Sequence, residues 1–543
     1  MKPRAALGVL AAAAVADALL LRWVGVTWGE QLVFAAVVAL WALAGAALVP
    51  AAVDRLTLAV TATAAGMSVH MALAFAACQD AVARALGIPD ARAAATLSFV
   101  LLLPLAVRGT ARLRRTAPGR WTETPGAAVL IFGAASLVAC LTAFGWVDPQ
   151  SAGEGLEHVR ERVREGRSLL AGPAPEWGSP QDRGAHAFGW MHERTFPRAF
   201  ARREFRHQGV EVTLVSVLFL GGPHSPARAV AGTKPLSLLW LLLLALVLHA
   251  MARDVAGASG RAAALAGLGG LLFAALNPSA FVAPVTSYRI APIAGSLYHN
   301  LTQQASLAAG FAGLYLAALG LARGGRRAFA AGCLLLGISV FYKPSLFSVA
   351  APVVVGVALW AARRAGVRTV APGLALLGGA AAFWYGYPRL THLGRLGVSG
   401  RVAFMDYQRN TDLFLPLPGD AATVLQVLVL SYAVFVPTAL AGFRRPRAAG
   451  ATWAPDAGRA LILLVGLAGL LSGHLMAERG SWGGSGRFMF GYGAGYLLLL
   501  PLLVRWIERL PSRPWRAVAW TLYAAHLLSG AWNLWVFAYY GRI

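Results

Sequence analysis

Cysteine is rare in this chain. The three present in 543 residues, Cys78, Cys140 and Cys333, all sit inside apolar stretches, which excludes a disulfide framework and a thiolate zinc cluster. Charge is scarce as well, at 13% of residues, and acidic groups are outnumbered 23 to 48 by basic ones. Lysine is almost missing: it occurs only at Lys2, Lys234 and Lys343, so every other basic residue is arginine. No period of 20–50 residues recurs, which counts against a repeat-built transporter. No Gly-rich phosphate motif is found where a soluble nucleotide-binding domain would need one.

What is abundant is apolar: 58% of the residues, against the roughly 45–50% usual in soluble domains. That content predicts an all-α, polytopic transmembrane bundle of about 15 spans, at about 20 residues each. The runs lie near 5–22, 31–49, 57–78, 93–107, 126–146, 234–251, 262–284, 304–322, 328–342, 345–361, 369–387, 422–442, 459–477, 488–504 and 517–538. The start, Met1 to Arg4 and then an Ala/Val/Leu run, has the form of a signal peptide with Ala14-Val15-Ala16 as a cleavage site. Leucines continue to Arg22, so the stretch is read as an uncleaved first span.

The net charge of +25 is explained by its placement. Alternate loops carry Arg55, Arg108 to Arg120, Arg253 and Arg261, Arg323 to Arg327, Arg363 to Arg368, Arg444 to Arg447, and Arg505 to Arg516. Cytoplasmic loops collect positive charge, so this alternation predicts an inner (plasma) membrane protein with a cytoplasmic N-terminus and calls for no nucleic-acid partner. The opposite loops then face the periplasm or exterior: 147–233, 285–303, the turn Tyr342 to Ser345, 388–421 and 478–487. Outer loops are small before residue 120 and elaborate after it. The expected organisation is therefore a four-helix extension over 1–120 and a membrane core over 121–543 with a large outer loop at about 147–233. Within that loop, Leu156, Val159 and Val163 at helical spacing predict an amphipathic surface helix. Val210 to Leu220 is apolar but too short to span, and reads as an interfacial or re-entrant element.

The candidate residues belong to those outer loops. Asp148, in Gly145-Trp146-Val147-Asp148-Pro149, follows a span at the expected outer boundary, where a partly desolvated carboxylate serves as a general base; the simpler reading of the residue alone is an Asp-Pro helix terminator. Glu157 and His158 follow on the surface helix, and a solvated helix face also accounts for them. Lys343, in Tyr342-Lys343-Pro344, sits where a hairpin turns at the outer surface; its ammonium suits a lipid phosphate or simply snorkels. Arg487 closes the Gly-rich run Arg479 to Phe488 and opens a helix, an anion-attracting arrangement, while Gly491 and Gly495 there also suit close helix packing. Arg289 is among the polar and aromatic residues that can line a sugar or headgroup site, together with Tyr298, His299, Asp406 and Arg409. His70, His249, His474 and His526 have no metal-like spacing to a second ligand, so no metal is assigned.

Three of these features together resemble the GT-C superfamily of polytopic glycosyltransferases, of the dolichyl-phosphate-mannose mannosyltransferase type. They are an acid after an early span followed by interfacial helices (Gly145 to Arg164), a Lys-Pro turn between spans (Ala331 to Pro352), and a late Gly-rich loop with Arg (Gly483 to Pro501). The likeness covers roughly 126–540, leaving the first four spans outside it. It implies a transfer with inversion from a polyprenyl-phosphate-linked sugar to a glycan, lipid or protein acceptor of the envelope. By the resemblance Asp148 is the base and Lys343 and Arg487 hold the carrier phosphate; no cofactor is assured, and a divalent metal requirement stays open. Two other readings share the sequence features: a polysaccharide polymerase or ligase using polyprenyl-diphosphate glycans, with Arg160 to Arg167 and Arg202 to Arg206 prominent, and a transporter or lipid flippase.

Overall fold

A computed structural model of the chain describes residues 3–23, 25–49, 55–77, 80–115, 131, 133–134, 209–218, 232–273, 301–390, 401–404, 429–430, 432–438, 456–479 and 486–540. These residues are helical almost throughout. The elements are α1 (Pro3–Trp23), α2 (Trp28–Ala46), α3 (Arg55–Ala77), α4 (Asp80–Ala85), α5 (Ala91–Arg115), α6 (Gly209–Leu218) and α7 (Thr233–Ala250), which runs on as a π-helix (Met251–Ala256). They continue with α8 (Gly260–Leu272), α9 (Leu301–Arg323), α10 (Arg326–Ser339), α11 (Pro344–Ala365), α12 (Val367–Leu390), α13 (Ala457–Leu475), α14 (Gly486–Glu508) and α15 (Arg513–Tyr540). An antiparallel ladder joins β1 (Arg401–Phe404) to β2 (Met476–Arg479), pairing Arg401 with Arg479 and Phe404 with Met476.

The all-α class holds, but the expected fifteen spans do not emerge. Among the described residues seven helices are long and apolar enough to cross a membrane: Trp28–Ala46, Leu56–Ala77, Arg92–Arg114, Thr233–Ala256, Leu301–Arg323, Pro344–Arg363 and Val367–Trp384. Of the run 262–284 the described residues form the thirteen-residue α8, which ends where Phe273 turns extended at φ −75° and ψ 123°. At 1.5 Å per residue α8 covers about 20 Å, short of a bilayer core. The runs 126–146 and 422–442 fall almost wholly outside the described residues.

The helices pack through small residues, as expected where lipid supplies no hydrophobic drive for helices to associate. A Cβ on Gly45 or Gly66 would strike the backbone of the facing helix, at Ala62 and Trp41, so α2 and α3 touch main chain to main chain. Gly313 and Gly332 do the same for α9 and α10, and Gly466 and Gly495 for α13 and α14. Polar chains add direction. Trp41 Nε1 can only donate, so His70 Nδ1 accepts from it at 3.0 Å; the ring proton then sits on Nε2 and goes to Ser98 Oγ at 2.9 Å, and that hydroxyl donates to the Ala95 carbonyl at 2.6 Å. One neutral histidine thereby links α2, α3 and α5. Helix α3 also packs on α6, α7, α9 and α10, with Trp240 Nε1 of α7 donating to Met67 Sδ at 3.2 Å.

The arginine-bearing loops gather at one end of the bundle. Arg112 donates to the carbonyls of Ala46 and Ala47, at 3.0 and 3.3 Å, and lies within electrostatic range of Arg327 and Arg108. Arg253 grips Asp254 with two parallel bonds of 2.8 and 2.9 Å and reaches Thr57 Oγ1 at 2.9 Å. Tyr315 donates to the same Asp254 at 2.8 Å, and Arg459 Nε to the Val255 carbonyl at 2.9 Å. Glu508 accepts from the backbone N–H of Ser259 at 3.0 Å and from its hydroxyl. The π-helix supplies most of these partners. Its extra residue per turn presents Arg253, Asp254 and the Val255 carbonyl within one turn, and Gly257 at φ +72° then ends it.

Candidate functional site

The opposite end of the bundle is built from helix beginnings. With their last turns at the arginine end, α7, α9 and α14 start at the other one, and the α10–α11 turn lies there too. The turn forms because Pro344 can open a helix but cannot extend one: the backbone N–H groups of Tyr342 and Lys343 both close on the Ser339 carbonyl at 3.1 Å, and Lys343 is extended before Pro344 at N1 of α11. Ser306 Oγ of α9 donates to the Lys343 carbonyl at 2.9 Å, fixing the turn against the bundle. Tyr342 is fully buried, edge-on to Trp240 with ring centroids 6.2 Å apart, and its hydroxyl lies 3.4 Å from Thr213 Oγ1.

Helix α6 meets this turn at its first residue. The Gly209 N–H donates to the Phe341 carbonyl at 2.9 Å, and a Cβ there would stand 2.7 Å from the Tyr342 ring. Val210, Val212, Thr213, Leu214, Ser216 and Val217 are all buried, so the element expected to be interfacial or re-entrant is a ten-residue helix packed against the protein through these residues. Around the turn lies a belt of buried polar side chains: Thr233, Lys234 and Ser237 from α7, Thr302, Gln303, Gln304 and Ser306 from α9, and Lys343 and Ser345 from the turn. Ser237 Oγ donates to Gln304 Oε1 at 2.7 Å, tying the first turn of α7 to that of α9.

Of the residues singled out from the sequence, Lys343 lies in this belt, only 8% exposed. Arg487 is the second residue of α14, whose far end holds Arg505 and Glu508, so its backbone belongs to the same end as Lys343. Asp148, Glu157, His158 and Arg289 lie outside the described residues, as do Arg160 to Arg167 and Arg202 to Arg206. The ladder brings two expected outer segments together, pairing 401–404 with the strand that leads into the Gly-rich run. Sequence reading passed over Lys234 and the polar run Thr302-Gln303-Gln304. Lysine scarcity and three polar residues opening an apolar helix were the signals available for them.

Chemically the end is an anion-attracting one. The starts of α7 and α11 carry no side-chain cap, each helix start presents the positive end of its dipole, and two of the three lysines stand among them. The ion pairs resolved among the described residues, Arg253–Asp254, Arg459–Asp456 and Arg505–Glu508, all lie at the other end. Also among the described residues, no group of three or more His, Cys, Asp or Glu side chains comes together. No protein-family model, curated protein or solved structure matches the chain.

Proposed function

We propose that the chain is an inner-membrane glycosyltransferase that moves a sugar from a polyprenyl-phosphate carrier to an envelope acceptor on the outer side. The observation that carries the reading is the buried, lysine-bearing belt of helix starts, on the end opposite the arginine loops. A leaving phosphate needs positive potential in a water-poor place, and charge placement assigns this end to the exterior. In the proposed step an acceptor hydroxyl oxygen attacks the anomeric carbon from the face opposite the phosphate. Its proton passes to the Asp148 carboxylate, the bond from carbon to phosphate oxygen breaks, and the electron pair leaves with polyprenyl phosphate, whose charge Lys343 and Arg487 offset.

The test is transfer of radiolabelled sugar from polyprenyl-monophosphate donors in proteoliposomes, comparing wild type with Asp148→Asn. Removing a general base should lower turnover roughly 10²–10⁴-fold and leave carrier binding intact. Normal turnover by the variant overturns the role of Asp148. A wild type inactive with every monophosphate donor overturns the transferase reading, in favour of a diphosphate-linked polymerase or a transporter.

A further inference from the structure

Lys234 stands apart from the other basic residues. It is the second residue of α7, 8% exposed, and the residues flanking it from Gly232 to Ser237 are buried as well. Among the described residues its ammonium has neither a hydrogen bond nor an ion pair, whereas Arg253, Arg459 and Arg505 each have a carboxylate. An ammonium held in a largely buried side chain without a counter-charge is costly, and an anionic ligand that supplies the charge offsets that cost.

A second group at this end of the bundle also lacks a partner. Ser345, the second residue of α11, is 5% exposed and its Oγ is buried without a hydrogen bond. Three contacts hold its turn beside the start of α7: Ser237 to Gln304, Ser306 to the Lys343 carbonyl, and Trp240 against Tyr342. Helix side chains lean towards the N-terminus, so Lys234 leans towards the end where α7, α9 and α11 open. A cation, a hydroxyl donor and the N–H groups of helix starts together make the donor set for a phosphate oxygen.

We propose that Lys234 is the anchoring cation of a phosphate-binding site at this end of the bundle, with Ser345 and the first N–H groups of α11 as further donors. The ligand class is a phosphate ester or free phosphate. Only the identification of that ester as a polyprenyl carrier rests on the transferase reading.

The experiment uses the full chain in phosphatidylcholine nanodiscs, with polyprenyl monophosphate and inorganic phosphate as separate probes. Wild type should bind at least one of them, and Lys234→Met should weaken binding tenfold or more, with Lys234→Arg recovering most of the loss. Ligand-free Lys234→Met should melt no lower than wild type, because an uncompensated buried charge has gone. A purely structural lysine would give the opposite result. Competition of inorganic phosphate against the lipid identifies the phosphate itself as the ligand; lipid binding without such competition identifies the lipid headgroup. Should Lys234→Met fail to fold, Ser345→Ala decides: two- to fivefold weaker binding at an unchanged melting temperature supports the site, and unchanged affinity overturns it. Neither probe binding wild type, or equal affinity in Lys234→Met, also overturns it. Lys234-dependent binding without any sugar transfer keeps the site and removes the transferase reading. Lys234-dependent binding beside sugar transfer that is indifferent to Lys234→Met keeps the site and the transferase and removes only the identification of the bound ester as the carrier.

Discussion

Asp254 shows how one carboxylate organises several helices. It takes two bonds from Arg253, its neighbour on the π-helix, and a third from Tyr315 of α9, while Arg253 extends to Thr57 at the start of α3. Both members of the ion pair are less than one-fifth exposed, so solvent screens it weakly. Replacing Asp254 by Ala removes the charge opposite a mostly buried guanidinium, and is expected to cost about 2–4 kcal/mol. A clear fall in the melting temperature in detergent, partly restored in Asp254→Asn, is the expected result. An unchanged melting temperature would show that the clamp contributes little.

At the scale of elements, contact geometry rather than hydropathy distinguishes one apolar helix from another. Gly495 of α14 faces Gly466 of α13, and an added Cβ would stand 2.5 Å from the Gly466 carbonyl oxygen and 2.8 Å from the Leu470 nitrogen. Gly495→Val therefore has to push two main chains apart, an overpacking cost of about 1–3 kcal/mol. Loss of thermal stability is the expected outcome, whereas Gly378→Val, with open space around its Cβ, should lose less. Equal losses would show that helix propensity rather than contact governs both. The same seam explains why the Gly-rich run before α14 reads ambiguously in sequence. Gly495 serves packing, while Gly486 opens the helix that carries Arg487.

For the molecule as a whole, the two ends differ in kind: paired arginines at one, buried lysines and helix starts at the other. Sidedness is testable without any substrate. In a background lacking Cys78, Cys140 and Cys333, Leu86→Cys and Val367→Cys place thiols at positions 62% and 65% exposed, in loops that the arginine alternation assigns to opposite faces. An impermeant maleimide applied to intact right-side-out vesicles should label Leu86→Cys at once, and Val367→Cys only after permeabilisation. Labelling of both from one side would overturn the topology.

By itself the sequence determined the helical class, the positions of most helices and the grouping of arginine loops. These follow from local composition: apolar length makes a helix, and loop charge sets its sense. Lys343 was also legible as a turn residue, since Pro344 forbids the helix to continue. Tertiary structure alone decided that α8 stops at Phe273, that α6 is packed against the protein, and that Lys234 and Ser345 are buried beside the same turn. The residues that enclose Lys234, bond to Gln304 or face Gly495 come from helices tens to hundreds of positions away. No window along the chain contains them, so only the packed bundle reveals them.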